Sequence, residues 1–232
     1  MAQSSLPSTM VKDFVKSYWG ERAATFDQAP NHHWQNERQH QAWLGVLADI
    51  AGPDPLDVLD LGSGTGFLSL QLAELGHRVT GVDIAPQMLM NAERKAADRG
   101  LDVDFRLGDI ESLPDGEGVY DLIVGRHVIW TLPNPHEALR AWLRLLRPGG
   151  RLALFEFAGR GGTEGDQCQG VSGYEELAEH LPFYGGSASD RVVDAYLDAG
   201  FVRVSATSLM DETLWGIELT NERYVVVGRK PS

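Results

Sequence analysis

Short apolar runs alternate with amphipathic segments along most of this chain. The apolar runs, each of strand length, span 56–61, 78–82, 103–107, 121–125 and 151–157. Between the first two runs, Leu68, Leu72 and Leu75 recur at helical spacing. Strands that alternate with helices predict an α/β fold of the doubly wound, Rossmann-like type, with a mostly parallel sheet covered on both faces.

The segment before the first strand is predicted to form two helices. One lies within 11–30 and carries Tyr18 among its aromatic residues, and the other spans 38–50 with Trp43 on its apolar face. Further along, Asn134 and Glu137 have the spacing of a capping box at the start of the best-marked helix. These helices are expected to cover the sheet.

The last third of the chain is less regular. The stretch 159–188 is rich in glycine and predicts a covering loop with a short helix around 174–180. Ser189 is expected to cap a helix that ends at Gly200, and two strands without a helix between them predict an antiparallel end to the sheet. We therefore predict a single domain, 1–232, divided into a helical cap (1–50), a core (51–158), a lid insertion (159–188), and a C-terminal helix with two strands (189–232).

Composition narrows the class of partner. Twenty Lys and Arg against 33 Asp and Glu give a net charge of −13, which argues against nucleic acid, because phosphate binders concentrate positive charge. No run approaches the roughly 20 apolar residues that cross a bilayer. The N-terminus lacks the pattern of a secretory signal, and the single cysteine, Cys168, fits a reducing compartment. We expect a cytoplasmic protein that does not bind membranes.

The most informative segment is a glycine loop between the first strand and the next helix. Gly62, Gly64 and Gly66 would let the backbone approach a ligand closely at the carboxyl end of that strand. The dinucleotide fingerprint G-x-G-x-x-G needs a third glycine where this chain has Phe67. Asp60, just before the loop, would repel a pyrophosphate and attract an ammonium group.

Two further carboxylates follow the next two predicted strands. Asp83 is suited to accept hydrogen bonds from both hydroxyls of a ribose, and Asp109 from an adenine amino group. Each acid alone is more often a solvated residue at a strand end. Together with Asp60 they predict a ligand with an ammonium, a ribose and an adenine, which is S-adenosylmethionine (SAM).

The motifs VLDLGSGTG, VTGVDIAPQML, FRLGDIESLP, YDLIVGRHVIWTL and LRLLRPGGRLAL resemble, in order, those of class I SAM-dependent methyltransferases. The likeness is greatest to the small-molecule branch that includes the ubiquinone and menaquinone C-methyltransferases. It implies a seven-stranded sheet whose last strand is antiparallel, and S-adenosylhomocysteine (SAH) as the product. It also implies cofactor contacts at Tyr18 (or Phe26), Asp60, Gly62, Ser63, Gly64, Asp83, Ile84, Met88, Asp109, Ile110, Gly125 and Arg126.

Methyl transfer from a sulfonium is a direct displacement, so the protein must align the partners and remove a proton where needed. His127 is the candidate general base or acceptor ligand, unless backbone groups of its loop satisfy it. Arg126 would pair with an acceptor carboxylate or phosphate, or hold local acids. Trp130 is expected either to pack beneath the sheet or to stack on the substrate. A polar and aromatic cluster near the N-terminus is expected to belong to a substrate pocket or to the surface; its members are His32, His33, Trp34 and His40. No metal site and no nucleophilic role for the cysteine are predicted.

The leading hypothesis is a SAM-dependent methyltransferase that acts on O, N, S or C of a small organic acceptor. Alternatives are a SAM-binding subunit without catalysis, an RNA or protein methyltransferase, and a nicotinamide-dependent dehydrogenase, which Asp60 and Phe67 disfavour. The acceptor, the pathway and the oligomeric state do not follow from the sequence.

Overall fold

The computed structural model describes residues 6–159 and 174–232. Seven strands form one sheet in the order β3-β2-β1-β4-β5-β7-β6. The strands are β1 (Asp57–Leu61), β2 (Arg78–Asp83), β3 (Val103–Leu107), β4 (Tyr120–Arg126), β5 (Leu146–Phe157), β6 (Val202–Ser208) and β7 (Arg223–Arg229). The pairs from β3 through β5 are parallel, and β7 runs antiparallel to both β5 and β6. The predicted fold class and antiparallel strand are confirmed.

Helices cover both faces of the sheet. They are α1 (Ser8–Arg22), α2 (Glu37–Ala51), α3 (Phe67–Glu74), α4 (Pro86–Arg99), α5 (Pro135–Leu145), α6 (Ser189–Ala199) and α7 (Glu212–Trp215). Side chains alternate across β1, so Val58 joins the apolar core beneath α2 and α3, and Leu59 joins the core beneath α5 and α6. Within the described ranges, no helix is long and apolar enough to cross a membrane.

The N-terminal segment differs from the single helix expected within 11–30. Helix α1 ends at Arg22, and a separate 3-10 turn follows at Phe26–Gln28. The segment is tied to α4, because the Asn91 amide donates to the carbonyl of Ala23 at 2.8 Å. This attachment carries α1 over the carboxyl ends of the strands.

Two predicted helix caps are wrong. Asn134 does precede α5, but its side chain donates to the hydroxyl of Ser8 at 3.2 Å and caps nothing, so no capping box forms. Ser189 is the first residue of α6 rather than its cap, and its hydroxyl donates to Glu222 at 3.0 Å. In both cases a distant polar partner competes with the local backbone.

Residues 160–173 of the predicted lid, which include Cys168, lie outside the described residues. After them, a 3-10 helix at Tyr174–His180 confirms the short helix expected there. The ring of Tyr174 is buried and meets Tyr18 edge-on, with the ring centroids 4.8 Å apart. This part of the C-terminal half therefore packs against α1.

Candidate active site

A cavity opens where β1, β2, β3 and β4 end, with α1 above it. It encloses about 940 Å³ of empty space, counting the part open to solvent. In an open parallel sheet, ligands bind at this edge, where the strand order reverses between β1 and β4.

Nine of the predicted site residues line this cavity. They are Gly62, Gly64, Asp83, Ile84, Met88, Asp109, Ile110, Arg126 and His127. Tyr18, Asp60, Ser63 and Gly125 are not among the lining residues in the described part of the chain. Phe26, the alternative to Tyr18, does line it, as do Trp130 and His32. Trp130 is therefore in the cavity wall and not only in the packing beneath the sheet.

The glycine loop has a backbone that other residues rarely adopt. Gly62, Gly64 and Gly66 have φ of 61°, 54° and 87°, in the left-handed region. A Cβ at Gly62 would also lie 3.0 Å from a methyl of Val128. Glycine is thus required both by conformation and, at Gly62, by the close approach of the next loop.

Asp83 joins the glycine loop to the cavity. One carboxylate oxygen accepts the N–H of Gly64 and the other the N–H of Ala85, both at 2.8 Å. Burial raises the pKa of Asp83 to about 6, against the lowering effect of these backbone hydrogen bonds. At neutral pH the carboxylate is therefore mostly ionised, and each oxygen retains a lone pair that a hydroxyl of a ligand can use.

Asp109 is engaged by a residue that sequence analysis did not identify. Lys12 of α1 approaches Asp109 and Glu111 at 2.6 Å each, and Asp109 also accepts the N–H of Glu111 at 2.9 Å. Both carboxylates raise the pKa of Lys12, although its partial burial works in the opposite direction. The apolar wall beside this group comes from Ile84, Met88 and Ile110.

Asp60 is buried beside the glycine loop and is not among the described residues that line the cavity. Its side chain is 2% exposed, and one oxygen accepts both the N–H and the hydroxyl of Ser69, at 3.0 and 2.6 Å. Burial raises the pKa of Asp60 to about 7, with the two Ser69 hydrogen bonds opposing the increase. Asp60 thus fixes the start of α3 to the end of β1, and its assignment to an ammonium group stays a prediction.

His127 has an unusual backbone and a confined ring. Its φ is 57°, a strained value for a residue with a side chain. The imidazole stacks on Trp215 at 5.6 Å and 8°, and meets the Phe157 ring edge-on at 5.1 Å. Among the described residues, its Nε2 atom is buried without a hydrogen-bond partner. The loop backbone therefore leaves this nitrogen available to a ligand.

The charge state of His127 follows from its neighbours. Burial lowers its pKa well below the usual value, and the positive charges of Arg126 and Arg223 lower it further. The ring is consequently neutral at physiological pH, so Nε2 either accepts or donates one hydrogen bond depending on the tautomer.

Arg126 bonds to the backbone of the segment that follows the 3-10 turn. It donates to the carbonyl oxygens of Asn31 and His32, at 2.8 and 3.4 Å, and lies 3.9 Å from the centroid of the Phe67 ring. It thereby joins the segment after α1 to the start of α3, and its pairing with a ligand carboxylate stays a prediction.

The histidines near the N-terminus separate into different environments. His32 lines the cavity, and its Nδ1 atom donates to the carbonyl of Phe26 at 2.9 Å. His40 lies outside it and is 3.0 Å from Glu74. In the described ranges, no group of three His, Cys, Asp or Glu side chains could hold a metal ion.

Several wall residues were missed because no local motif marks them. From α1 come Lys12, Val15 and Trp19, and from the chain after β4 come Val128, Thr131, Leu132 and Pro133. The aromatic residues of α1 were visible in the sequence, but nothing in their spacing indicates which helix face meets the cavity.

The chain is similar in sequence to known methyltransferases. Residues 59–154 match the family model described as a methyltransferase domain. Over 141 residues, the chain is 34% identical to the ubiquinone biosynthesis O-methyltransferase of Xanthomonas oryzae pv. oryzae, covering 60% of this chain and 56% of that protein. Over 118 residues, it is 42% identical to the demethylmenaquinone methyltransferase of Thermus thermophilus, covering 50% and 54%. The chain thus spans about half the length of these curated relatives.

A solved structure extends the likeness across the fold. Phosphoethanolamine N-methyltransferase 2 of Haemonchus contortus, in complex with phosphomonomethylethanolamine and S-adenosylhomocysteine, has a TM-score of 0.71 and 17% identity, covering 96% of this chain and 60% of that one. At this identity the likeness shows the fold alone. Residues 59–154 therefore resemble a methyltransferase domain, and the chain is similar to class I SAM-dependent methyltransferases, the ubiquinone and menaquinone enzymes among them.

Proposed function

We propose that this protein binds SAM and transfers its methyl group to a small organic acceptor. The observation that carries the proposal is the junction at Asp83, where one buried carboxylate braces the glycine loop through Gly64 and also lines the cavity. The match of residues 59–154 to a methyltransferase domain supports it. The identity of the acceptor is left open, because sequence likeness covers only part of the chain.

The cavity residues fit the parts of SAM. Asp83 is suited to the ribose hydroxyls, and Ile84 and Met88 form an apolar wall suited to the adenine. In the glycine loop, the hydroxyl of Ser63 is buried without a hydrogen-bond partner among the described residues. Buried polar atoms are rarely left unsatisfied, so this hydroxyl supports a ligand beside the loop.

SAM, when bound, would supply an electrophilic methyl carbon, which the nucleophilic atom of the acceptor attacks as the bond from methyl to sulfur breaks and SAH leaves. The contribution of this chain is then to hold cofactor and acceptor in line and to keep water out. Trp19, Phe26 and Trp130 give the cavity an aromatic wall suited to an apolar acceptor body.

His127 is a group in this wall that can exchange a proton with an acceptor. Because its ring is neutral, Nε2 has a lone pair or a hydrogen to offer, according to its tautomer. Its lowered pKa makes it a weak base, so we propose that it orients the acceptor and takes a proton only from acidic acceptors.

We also propose that the protein lies in the cytoplasm and that its acceptor is a small molecule rather than a nucleic acid. The net charge of −13 argues against a nucleic-acid acceptor, and the single cysteine is consistent with the cytoplasm. A small molecule is therefore the acceptor class we favour.

Calorimetric titration tests cofactor binding directly. SAH and NADH are each titrated into the purified chain; we expect heat of binding with SAH and none with NADH. Binding of NADH alone would overturn the proposal. Incubation with SAM and metabolite extracts, followed by mass spectrometry for products heavier by one methylene, then separates an enzyme from a SAM-binding subunit without turnover.

A further inference from the structure

A buried carboxyl group outside the cavity holds one of the cavity walls. Glu156, near the end of β5, is 1% exposed, and its Oε1 atom accepts the backbone N–H groups of Val128 and Ile129, both at 3.0 Å. Neither N–H is in a strand or an α-helix, and both residues are buried. Glu156 therefore satisfies two donors that would otherwise be stranded in the interior.

These two hydrogen bonds lie where the chain leaves the sheet. The N–H of His127 still donates to the carbonyl of Phe155 at 2.8 Å, continuing the pairing of β4 with β5. At His127 the backbone then turns into the left-handed region, with φ of 57°. Such a conformation persists only where surrounding contacts compensate for its strain, and the Glu156 bonds on the next two residues are contacts of this kind.

The side chain of Val128 packs closely against the glycine loop and against the end of β4. One of its methyl groups lies 3.0 Å from the position of a Cβ on Gly62, and the other 2.9 Å from that of a Cβ on Gly125. Val128 thus fits between the loop and the end of β4 with no spare room. A shift of Val128 would therefore move either the loop or the strand end.

The same short segment forms the opposite wall of the cavity. His127, Trp130 and Thr131 all line it, and the hydroxyl of Thr131 closes the turn by donating to the carbonyl of Val128 at 2.8 Å. One carboxyl group therefore supports both the glycine-loop contact and the aromatic wall.

We propose that Glu156 is a positioning residue, which holds segment 127–131 so that the glycine loop and the wall beside His127 keep their relative placement. The inference rests on the proposed function, because the consequence it predicts is for cofactor binding. Glu156 itself is not among the described residues that line the cavity.

The test compares three variants by calorimetric titration with SAH. Glu156→Gln keeps an oxygen at the same reach, so we expect an affinity within about twofold of the native protein. Glu156→Asp keeps the carboxyl group but is one methylene shorter, and we expect about tenfold weaker binding. Leu152→Ala, on the same strand and also buried, serves as a control that loses stability while both hydrogen bonds to Glu156 stay in place.

A spectroscopic measurement separates positioning from general destabilisation. The His127 ring resonance, assigned with His127→Gln, should shift in Glu156→Asp and stay unchanged in Leu152→Ala. Equal SAH affinities in these two variants, or equal losses in the Gln and Asp variants, would overturn the positioning role. Failure of the native chain to bind SAH would instead overturn the proposed function.

If Glu156→Asp does not fold, Val128→Ala tests the same proposal. Val128→Ala leaves the backbone hydrogen bonds to Glu156 in place but removes the methyl groups that contact the glycine loop. We expect several-fold weaker SAH binding; native affinity in this variant would overturn the proposal.

Discussion

Asp83 contributes both to the glycine loop and to the cavity. Its two oxygens accept the N–H groups of Gly64 and Ala85, and these hydrogen bonds hold the glycine loop. Asp83 also lines the cavity. The sequence indicated this residue through its place at the end of a strand. The sequence did not indicate the hydrogen bond to Gly64, because 19 residues separate the two groups.

Replacing Asp83 should therefore weaken cofactor binding. We expect Asp83→Ala to reduce the SAM binding free energy by roughly 1–3 kcal/mol, since donors of both the loop and the ligand lose their acceptor. Calorimetric titration with SAM measures this directly. The matched control is Asp102→Ala, an exposed aspartate before β3, which should bind like the native chain. Unchanged affinity in Asp83→Ala would remove Asp83 from the ribose role.

The lowered pKa of His127 leads to a prediction about how turnover depends on pH. Because its pKa is held well below the usual value, the turnover rate should lack an inflection where an ordinary histidine titrates, near pH 6.5. The measurement is the rate against pH, once an acceptor is identified. His127→Ala should lower turnover at every pH while SAM affinity stays close to native. An inflection near the ordinary value that disappears in His127→Ala would contradict the buried, neutral ring.

Helix α1 is the element that roofs the cavity. Lys12 bridges it to Asp109 and Glu111, and Asp27, in the 3-10 turn that follows, joins the hydroxyl of Thr65 at 2.6 Å and Lys95 at 2.8 Å. The N-terminal segment is thus attached to both the glycine loop and α4. These are polar contacts between distant parts of the chain, so the helical periodicity of α1 did not reveal them.

Removing the Lys12 bridge should loosen α1. We expect Lys12→Met to lower the protection of the 8–22 backbone by about 0.5–1 kcal/mol, because the groups are partly exposed and solvent weakens the pair. Hydrogen exchange followed by mass spectrometry reports this segment separately. Lys16→Met, on an exposed position of the same helix, is the control. Equal hydrogen-exchange protection in both variants would show that the Lys12 bridge does not hold α1 over the cavity.

For the whole molecule, buried carboxyl groups make stability depend on pH in an unusual direction. Burial raises the pKa of Asp60 to about 7 and of Glu156 to about 8. Between the ordinary carboxyl pKa and these values, the unfolded chain is ionised while the folded chain keeps the protons. The unfolded state then binds fewer protons, so the free energy of unfolding falls as pH rises through this window.

Glu156→Gln isolates one of these contributions. The amide does not titrate, so its stability relative to the native chain should improve as pH rises from about 5 to about 8. Urea denaturation of both proteins at several pH values measures the difference. A difference that is constant with pH would contradict the raised pKa of Glu156. Tyr196 and Tyr224, whose own pKa values are raised near Glu156, remain neutral throughout this range.

The amino-acid sequence by itself determined the α/β class, the strands, and the acids at the ends of β1, β2 and β3. These features depend on side-chain periodicity and on neighbours a few residues apart, which a single chain displays directly. The glycine loop belongs to the same group, because its left-handed backbone is one that glycine adopts at all three positions.

Only the tertiary structure decided which groups face the cavity. Asp60 and Asp83 both end strands, yet Asp60 turns toward Ser69 and Asp83 toward the glycine loop and the cavity. Lys12 meets Asp109 across 97 residues, and Glu156 reaches Val128 from a neighbouring strand. The physical reason is that buried polar groups must find partners wherever packing brings them, and local sequence does not encode those distances.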